Sequence, residues 1–458
     1  MFIDKIKTEG VAHLSYILGD KDEAVVIDPR RDCDIYIEIA TENSAQIVAI
    51  FETHRNEDFI SGAADLAAKT GAPVYHGRAL DFAYGHSVVN GDRFSVGNLS
   101  LEIIETPGHT LESISIKVED TEFGEIAVAV FTGDALFVGD VGRTDFYPDR
   151  EEEVAGMLYD SIFKKLLPLG DQAIIYPAHG AGSVCGDNMA SREFSTIGYE
   201  RQCNPALKVA DREEFIRNKV NELHYKPEYF KKMEEYNKQG PPALKPLLCP
   251  PPFSAEKMEE AAQQGATLVD IRSPEAFAGA HIPGSLAIPF ELLSAYIGFL
   301  VDVDNEIVLI AENIEQVSAA VRSLSRLGYD NIIGYFRNGM SAWEVSGRHY
   351  NSIGVLHAAE TEARLAEGAP VTLLDVRKRN EFEESRLAGA KNIFLGHLQE
   401  KIHEIDRQQP VITFCGSGAR AIVAASILIK NEFHQVENCF GSLQACKNIN
   451  CRTIEGGG

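Results

Sequence analysis

Short apolar runs broken by turns dominate the first part of the chain, among them Glu23-Ala24-Val25-Val26-Ile27-Asp28, Ile47-Val48-Ala49-Ile50-Phe51 and Leu101-Glu102-Ile103-Ile104. Their length and β-branched content predict buried strands, and the stretches between them predict a few helices, so that stacked mixed sheets carry helices outside. Residues 205–239 are rich in Lys, Glu and other helix formers and predict a helical appendix to this first domain. Six prolines follow Gly240 as far as Pro252, which disfavours a long helix or central strand and predicts an extended linker. Beyond it the period changes. Thr267-Leu268-Val269-Asp270-Ile271, Glu306-Ile307-Val308-Leu309-Ile310, Val371-Thr372-Leu373-Leu374-Asp375 and Val411-Ile412-Thr413-Phe414 alternate with helical stretches, the pattern of small α/β domains with parallel sheets. Asp270-Ile271-Arg272 recurs as Asp375-Val376-Arg377, and Gly284 with Ile288 recurs as Gly389 with Ile393, at an offset of 105 (270 to 375, 284 to 389). Two copies of one fold are therefore expected. The resulting division is a first domain over 1–239, a linker over 240–253, and copies over 254–350 and 355–452.

Composition agrees with that count, because 458 residues exceed what one ordinary core organises. With 68 acidic against 43 basic residues the formal charge is −25, which argues against electrostatic attachment to nucleic acid or an anionic membrane. No apolar run approaches the roughly 20 residues of a membrane-spanning helix, and Met1-Phe2-Ile3-Asp4-Lys5 lacks the shape of a signal peptide. The eight cysteines are scattered without a Cys-x-x-Cys pair. Free thiols in a reducing cytoplasm are expected.

Candidate chemistry falls just beyond predicted strand ends, where a rigid scaffold commonly places it. His54 in Glu-Thr-His, His109 in Thr-Pro-Gly-His-Thr and Asp134 in Thr-Gly-Asp-Ala-Leu-Phe read as ligands for one metal ion. Two imidazoles and a carboxylate suit non-haem Fe(II), because they leave positions open for a thiolate and O2. Cys415 begins the loop Cys415-Gly416-Ser417-Gly418-Ala419-Arg420 between a strand and a helix. Gly416 and Gly418 allow tight curvature, so that backbone N–H groups and the helix N-terminus near Ala419 face the sulfur and favour an anionic persulfide on it. Arg420 either supports the loop or binds an anionic sulfur donor or acceptor. Asp375 and Arg377 are expected to tie the domain together, since the pair recurs in the preceding copy. Aligning the two copies puts Ala311 opposite Cys415 and Gln316 opposite Arg420. A methyl group carries no sulfane sulfur, so the first copy is expected to be a non-catalytic spacer or docking module. Cys439, Cys446 and Cys451 have no comparable loop.

Over roughly residues 1–200 the motifs Thr53-His54-x-x-x-Asp58, Pro107-Gly108-His109-Thr110, Thr132-Gly133-Asp134, Gly142-Arg143-Thr144-Asp145 and Tyr176-Pro177-Ala178-His179-Gly180 resemble the metallo-β-lactamase superfamily. The implied fold is an αββα sandwich. The superfamily's His-x-His-x-Asp-His motif is departed from twice, with Asn56 at the second histidine and Phe59 at the third. A phenyl ring ligates no metal, which disfavours a binuclear hydrolase. The persulfide dioxygenase branch, by resemblance, binds one iron per chain through positions matching His54, His109 and Asp134. The resemblance implies that a low-molecular-weight thiol persulfide and O2 give sulfite and free thiol. Arg143 is expected either to steer an anionic group on the substrate or to pair internally with Asp145, which alternatively orients a ligand histidine. Asp58 and His179 are expected to support the ligands by hydrogen bonds. Cys185 lies close behind His179 in sequence, with an inert buried thiol and a sulfur relay as its two readings.

Residues 355–452 resemble rhodanese, a sulfurtransferase, and the order of metal domain, cysteine-less copy and cysteine-bearing copy resembles bacterial persulfide dioxygenase–sulfurtransferase fusions. That resemblance implies a cytoplasmic enzyme that oxidises sulfide-derived persulfides of glutathione or coenzyme A and passes sulfane sulfur through Cys415 to sulfite, making thiosulfate. Neither nucleic acid nor membrane is expected as a partner, and the helical segment 205–239 offers surface for a homo-oligomer. Two alternatives stay open: a sulfur carrier whose front domain is a non-catalytic module, and a thioester hydrolase of the glyoxalase II kind.

Overall fold

The computed structural model describes residues 1–183, 186, 189–337 and 339–456. They form two compact units, one built on Met1–Pro246 and the other on Leu247–Leu324 and Tyr329–Gly458.

In the first unit, two six-stranded sheets are formed among the described residues. One runs in chain order through β1 (Phe2–Thr8), β2 (His13–Asp20), β3 (Glu23–Ile27), β4 (Gln46–Glu52), β5 (Val74–Gly77) and β6 (His86–Val88). The other is ordered β12-β11-β10-β9-β8-β7, with β7 Arg93–Val96, β8 Leu99–Glu105, β9 Ile114–Asp120, β10 Ala127–Gly133, β11 Ile174–Pro177 and β12 Ser195–Thr196. Side-chain alternation explains why they stack. Tyr16, Leu18, Val25, Ile27 and Phe51 point to an inter-sheet core with Leu101, Ile103, Ile116, Val118 and Phe131. The intervening Ile17, Ala24, Val26 and Ile50 point to the opposite face. There they meet Tyr36 and Ala40 of α1 (Asp34–Glu42) and Ala63 and Leu66 of α2 (Ala63–Thr70). Val130 and Ile175 do the same on the second sheet, beneath Leu158 of α3 (Glu151–Ser161). Strands buried on both faces read as continuous apolar runs, and each fully buried Val, Ile or Leu contributes about 1.5–3 kcal/mol. The layers are helix, sheet, sheet, helix, as the sequence implied.

Within 205–239 two helices form, Arg212–Val220, capped by Asp211 accepting from Glu214 N–H at 2.8 Å, and Phe230–Gln239. The second packs onto the loop after β4, as described below.

The second unit contains two parallel five-stranded sheets of identical order. Spatially, the first is Pro252–Phe253, Ile332–Phe336, Ile307–Ile310, Thr267–Asp270, Leu286–Ala287. The other is Gly354–His357, Val436–Phe440, Val411–Phe414, Thr372–Asp375, Lys391–Asn392. Pro252–Phe253 was expected to close the linker but pairs with Tyr335–Phe336 as an edge strand, a place where proline's missing N–H costs no ladder bond. Registers match between the copies: Asp270 stands opposite Ile310 and Asp375 opposite Phe414. Ala311 and Cys415, each one residue beyond, are thus structural equivalents. No helix among the described residues is long and apolar enough to cross a membrane.

Candidate metal centre and sulfur-carrying loop

Three strand ends deliver the first site: His54 follows β4, His109 follows β8 and Asp134 follows β10. One ligand atom from each lies within 4.8 Å of the other two, and all three residues are buried. Asp134 Oδ2 is 3.7 Å from His54 Nε2 and 3.4 Å from His109 Nε2. The opposite ring nitrogens are anchored. His109 Nδ1 donates to the Arg143 carbonyl at 3.1 Å. His54 Nδ1 donates to Thr53 Oγ1 at 2.9 Å, because that hydroxyl spends its own proton on Asp28 Oδ2 at 2.8 Å. Both rings therefore turn an unprotonated Nε2 toward Asp134, and neither Nε2 makes a hydrogen bond among the described residues. Orphaned buried nitrogens facing a carboxylate fit a divalent cation, and anchored Nδ1 atoms are the support such ligands need.

Electrostatics agree. Burial pushes His54 down to about 4, leaving it neutral as a ligand must be. Burial also depresses His109, but Glu57 and Asp134 outweigh it and raise the imidazole above its ordinary value. Asp134 would rise on burial, yet His179, His54 and His109 hold its carboxyl below the usual carboxylate range.

His179, just beyond β11, takes both oxygens of Asp134 with Nδ1 at 2.8 and 3.0 Å, while its Nε2 lies 3.2 Å from Asp58 Oδ2. Burial alone would lower it, but Asp134 and Asp58 hold it well above the ordinary histidine value. A protonated ring between two carboxylates occupies the place beside the first site, and the Phe59 ring stacks on the buried His13 at 3.9 Å next to it. Asp58 and His179 thus support Asp134 by hydrogen bonding and charge, as anticipated; His13 carried no signal in the sequence.

Arg143 is buried and grips Asp145 with Nε on Oδ1 and Nη2 on Oδ2, both at 2.6 Å. Burial would raise Asp145, but Arg143 brings it down to about 2. Of the two readings of Arg143, the geometry contains the internal pair rather than a guanidinium offered to substrate. What the pair fixes is the turn whose carbonyl orients His109. Gly108 lets the same segment approach α3: at φ 149° it stands where an added Cβ would be 2.4 Å from Leu158 Cα.

A support that sequence reasoning missed comes from helix Phe230–Gln239. The Asn237 amide donates to the carbonyls of Asn56 and Phe59 at 2.6 and 2.7 Å and accepts from Ser61 N–H at 2.9 Å. Tyr229 adds its hydroxyl to the Asp58 carbonyl at 2.8 Å. Glu57, also missed, puts Oε1 3.3 Å from His109 Nε2. Cys185 lies outside the described residues.

In the second unit Cys415 ends strand Val411–Phe414 and is buried, with helix Ala419–Lys430 starting four residues on. Gly418, at φ 105°, donates its N–H to Cys415 Sγ at 3.0 Å, so one backbone donor already faces the sulfur. Ser442 accepts from Cys415 N–H at 3.1 Å, and the amides of Leu443 and Gln444 bind the carbonyls of Cys415 and Gly416 at 3.1 and 2.9 Å. Arg420 makes a bidentate pair with Glu381 at 2.7 and 2.8 Å, which is the loop-supporting alternative. Behind it, Arg377 binds Asp375 and the carbonyls of Glu381 and Ser385. Asp270 and Arg272 repeat that pair in the first copy. The first copy also brings Tyr296 against Arg420, so it supplies a side chain beside the loop. Cys439, Cys446 and Cys451 lie in the domain core.

Residues 8–179 match the metallo-beta-lactamase superfamily, and residues 254–346 and 357–448 each match the rhodanese-like domain. Mitochondrial persulfide dioxygenase ETHE1 of Bos taurus is 30% identical over 211 residues, covering 44% of this chain and 74% of that protein. Hydroxyacylglutathione hydrolase GloC of Haemophilus influenzae is 28% identical, over 42% of this chain and 91% of its own. The solved structure of a metallo-beta-lactamase from Staphylococcus aureus subsp. aureus COL is 33% identical with a TM-score of 0.66, covering 73% of this chain and 98% of that one.

Proposed function

The chain belongs to the metallo-β-lactamase superfamily, with persulfide dioxygenase homologues of its front domain and two rhodanese-like domains behind it, and from that premise we propose that it oxidises low-molecular-weight thiol persulfides to sulfite and carries sulfane sulfur on Cys415. The observation that carries this reading is a centre with donors for one ion: two orphaned imidazole nitrogens and Asp134, flanked by a phenyl ring and a histidine engaged by two carboxylates. A hydrolase using two ions to activate water would lack donors at Phe59 and compete with His179 for Asp134.

His54, His109 and Asp134 would hold Fe(II), and the ion would supply open positions and Lewis acidity for a persulfide sulfur and O2. The chain's own residues do the rest. Thr53 and the Arg143 carbonyl keep protons on Nδ1 of the two ligand histidines and so keep their Nε2 atoms available. His179 holds Asp134 ionised and oriented. The net reaction is R–S–S⁻ + O2 + H2O giving R–SH, SO3²⁻ and H⁺.

In the second domain, the Cys415 thiolate attacks the outer sulfur of a persulfide, breaking its S–S bond and releasing R–S⁻. Sulfite then attacks the outer sulfur of the Cys415 persulfide, giving thiosulfate and restoring the thiolate. The Gly418 N–H offers a fixed donor to negative charge on that sulfur, and Glu381 and Arg420 keep the loop in place. The thiol R is glutathione or coenzyme A, the site of action the cytoplasm.

Product analysis tests the coupling. Given glutathione persulfide and O2, the Cys415→Ser protein is expected to consume O2 at the parent rate while sulfite accumulates in place of thiosulfate. Unchanged enzymatic thiosulfate formation would remove Cys415 from the account.

A further inference from the structure

Glu57 belongs to none of the roles above, yet its side chain is buried and its Oε1 lies 3.3 Å from His109 Nε2. That nitrogen already has Asp134 Oδ2 at 3.4 Å. Neither oxygen is aligned for a hydrogen bond with it, so the two carboxylates flank the lone pair rather than lie along it. This is the arrangement of donors converging on a shared point. Two donors about 2.1 Å from one ion and at right angles to each other stand about 3.0 Å apart, close to both distances.

The backbone around Glu57 is fixed for this purpose. Asn237 clamps the carbonyls of Asn56 and Phe59, one on each side of it, and Arg55 N–H donates to Glu112 at 3.0 Å. Glu57, Asp58 and Asp134 crowd three carboxylates into this buried pocket. Packing that much negative charge away from water is costly without a cation among the groups.

Resting on the single-metal reading, we propose that Glu57 is a fourth protein donor to the ion bound by His54, His109 and Asp134. The centre is then two imidazoles and two carboxylates. A six-coordinate ion keeps two open positions instead of three, and with two carboxylate ligands a divalent ion is formally neutral. The harder donor set favours Mn(II) and Fe(II) relative to a site of imidazoles alone.

The test loads the full chain with Mn(II) and counts exchangeable solvent ligands by broadening of its paramagnetic resonance in ¹⁷O-water, beside an affinity measurement by metal competition. Glu57→Ala, Glu57→Gln and His54→Ala are compared with the parent. The expected result is about two exchangeable positions in the parent and three in Glu57→Ala, with Glu57→Gln, which keeps the side-chain volume, binding about 10–100-fold more weakly. The same solvent count in parent and Glu57→Ala, with metal still bound, overturns the role of Glu57 while the three-ligand centre stands. Binding that His54→Ala leaves intact, or none in the parent, overturns both.

Discussion

Replacing Asn237 by alanine removes three buried hydrogen bonds at once from the segment that carries His54, Glu57 and Asp58. The side chain sits on helix Phe230–Gln239 and is 1% exposed. Its loss leaves the carbonyls of Asn56 and Phe59 and the amide of Ser61 without their partner. At about 1 kcal/mol for each bond, and more where water does not reach the stranded group, opening of residues 56–61 becomes easier by about 3 kcal/mol. That corresponds to about a hundredfold faster exchange of the Ser61 amide hydrogen if exchange follows local opening. Amide exchange on the full chain reads it directly, with the β2 residues Tyr16 to Leu18 as an internal reference. Asn237→Asp retains an acceptor for Ser61 but no donor for the two carbonyls, and should recover part of the Ser61 protection only. If Ser61 exchanges in Asn237→Ala at the parent rate, the helical appendix is not what holds the metal-binding loop.

Other perturbations separate the supports of the two sites. Asp145 titrates at about 2 in the folded chain against an ordinary 3.8 because of Arg143; its contribution is therefore present above the unfolded value and lost as pH falls from about 4 toward 2, at most about 2 kcal/mol. Acid denaturation curves of Asp145→Asn should be flatter over that window. His179→Ala strips Asp134 of both hydrogen bonds and should weaken metal binding about 10–100-fold in a competition titration, without changing the number of ions bound. Glu381→Gln breaks the bidentate hold on Arg420, so sulfur transfer from thiosulfate should slow and amide exchange across 415–420 should quicken; parent-like values in both would free Arg420 of its loop-supporting role.

Much of this arrangement is legible in the sequence because it rests on local chemistry. Alternating burial in β2 to β4 follows from apolar runs facing two cores, and the repeat registers Ala311 with Cys415 because Asp270 and Asp375 mark the same strand end. His54, His109 and Asp134 sit in loops whose neighbours announce them. Glu57 is silent because it stands between the residues of a motif, and only the path of the loop turns its carboxylate inward. Asn237 gives no signal because its partners lie about 180 residues earlier and a polar residue in a lysine- and glutamate-rich helix reads as solvent-facing. Two readings of Arg143 were equal in sequence since an Arg two residues from an Asp pairs internally or faces a ligand according to a turn angle that composition does not encode. Pro252–Phe253 shows the converse: proline marks a boundary in sequence, yet an edge strand accepts it.

The most direct test of the central claim is to purify the chain anaerobically with iron supplied, measure bound metals by mass spectrometry, and follow O2 uptake with glutathione and coenzyme A persulfides. The expected result is about one iron per chain and O2 uptake that depends on persulfide. A chain with no stoichiometric metal and no uptake, still forming a persulfide on Cys415, would contradict it and leave a sulfur carrier joined to a non-catalytic front domain.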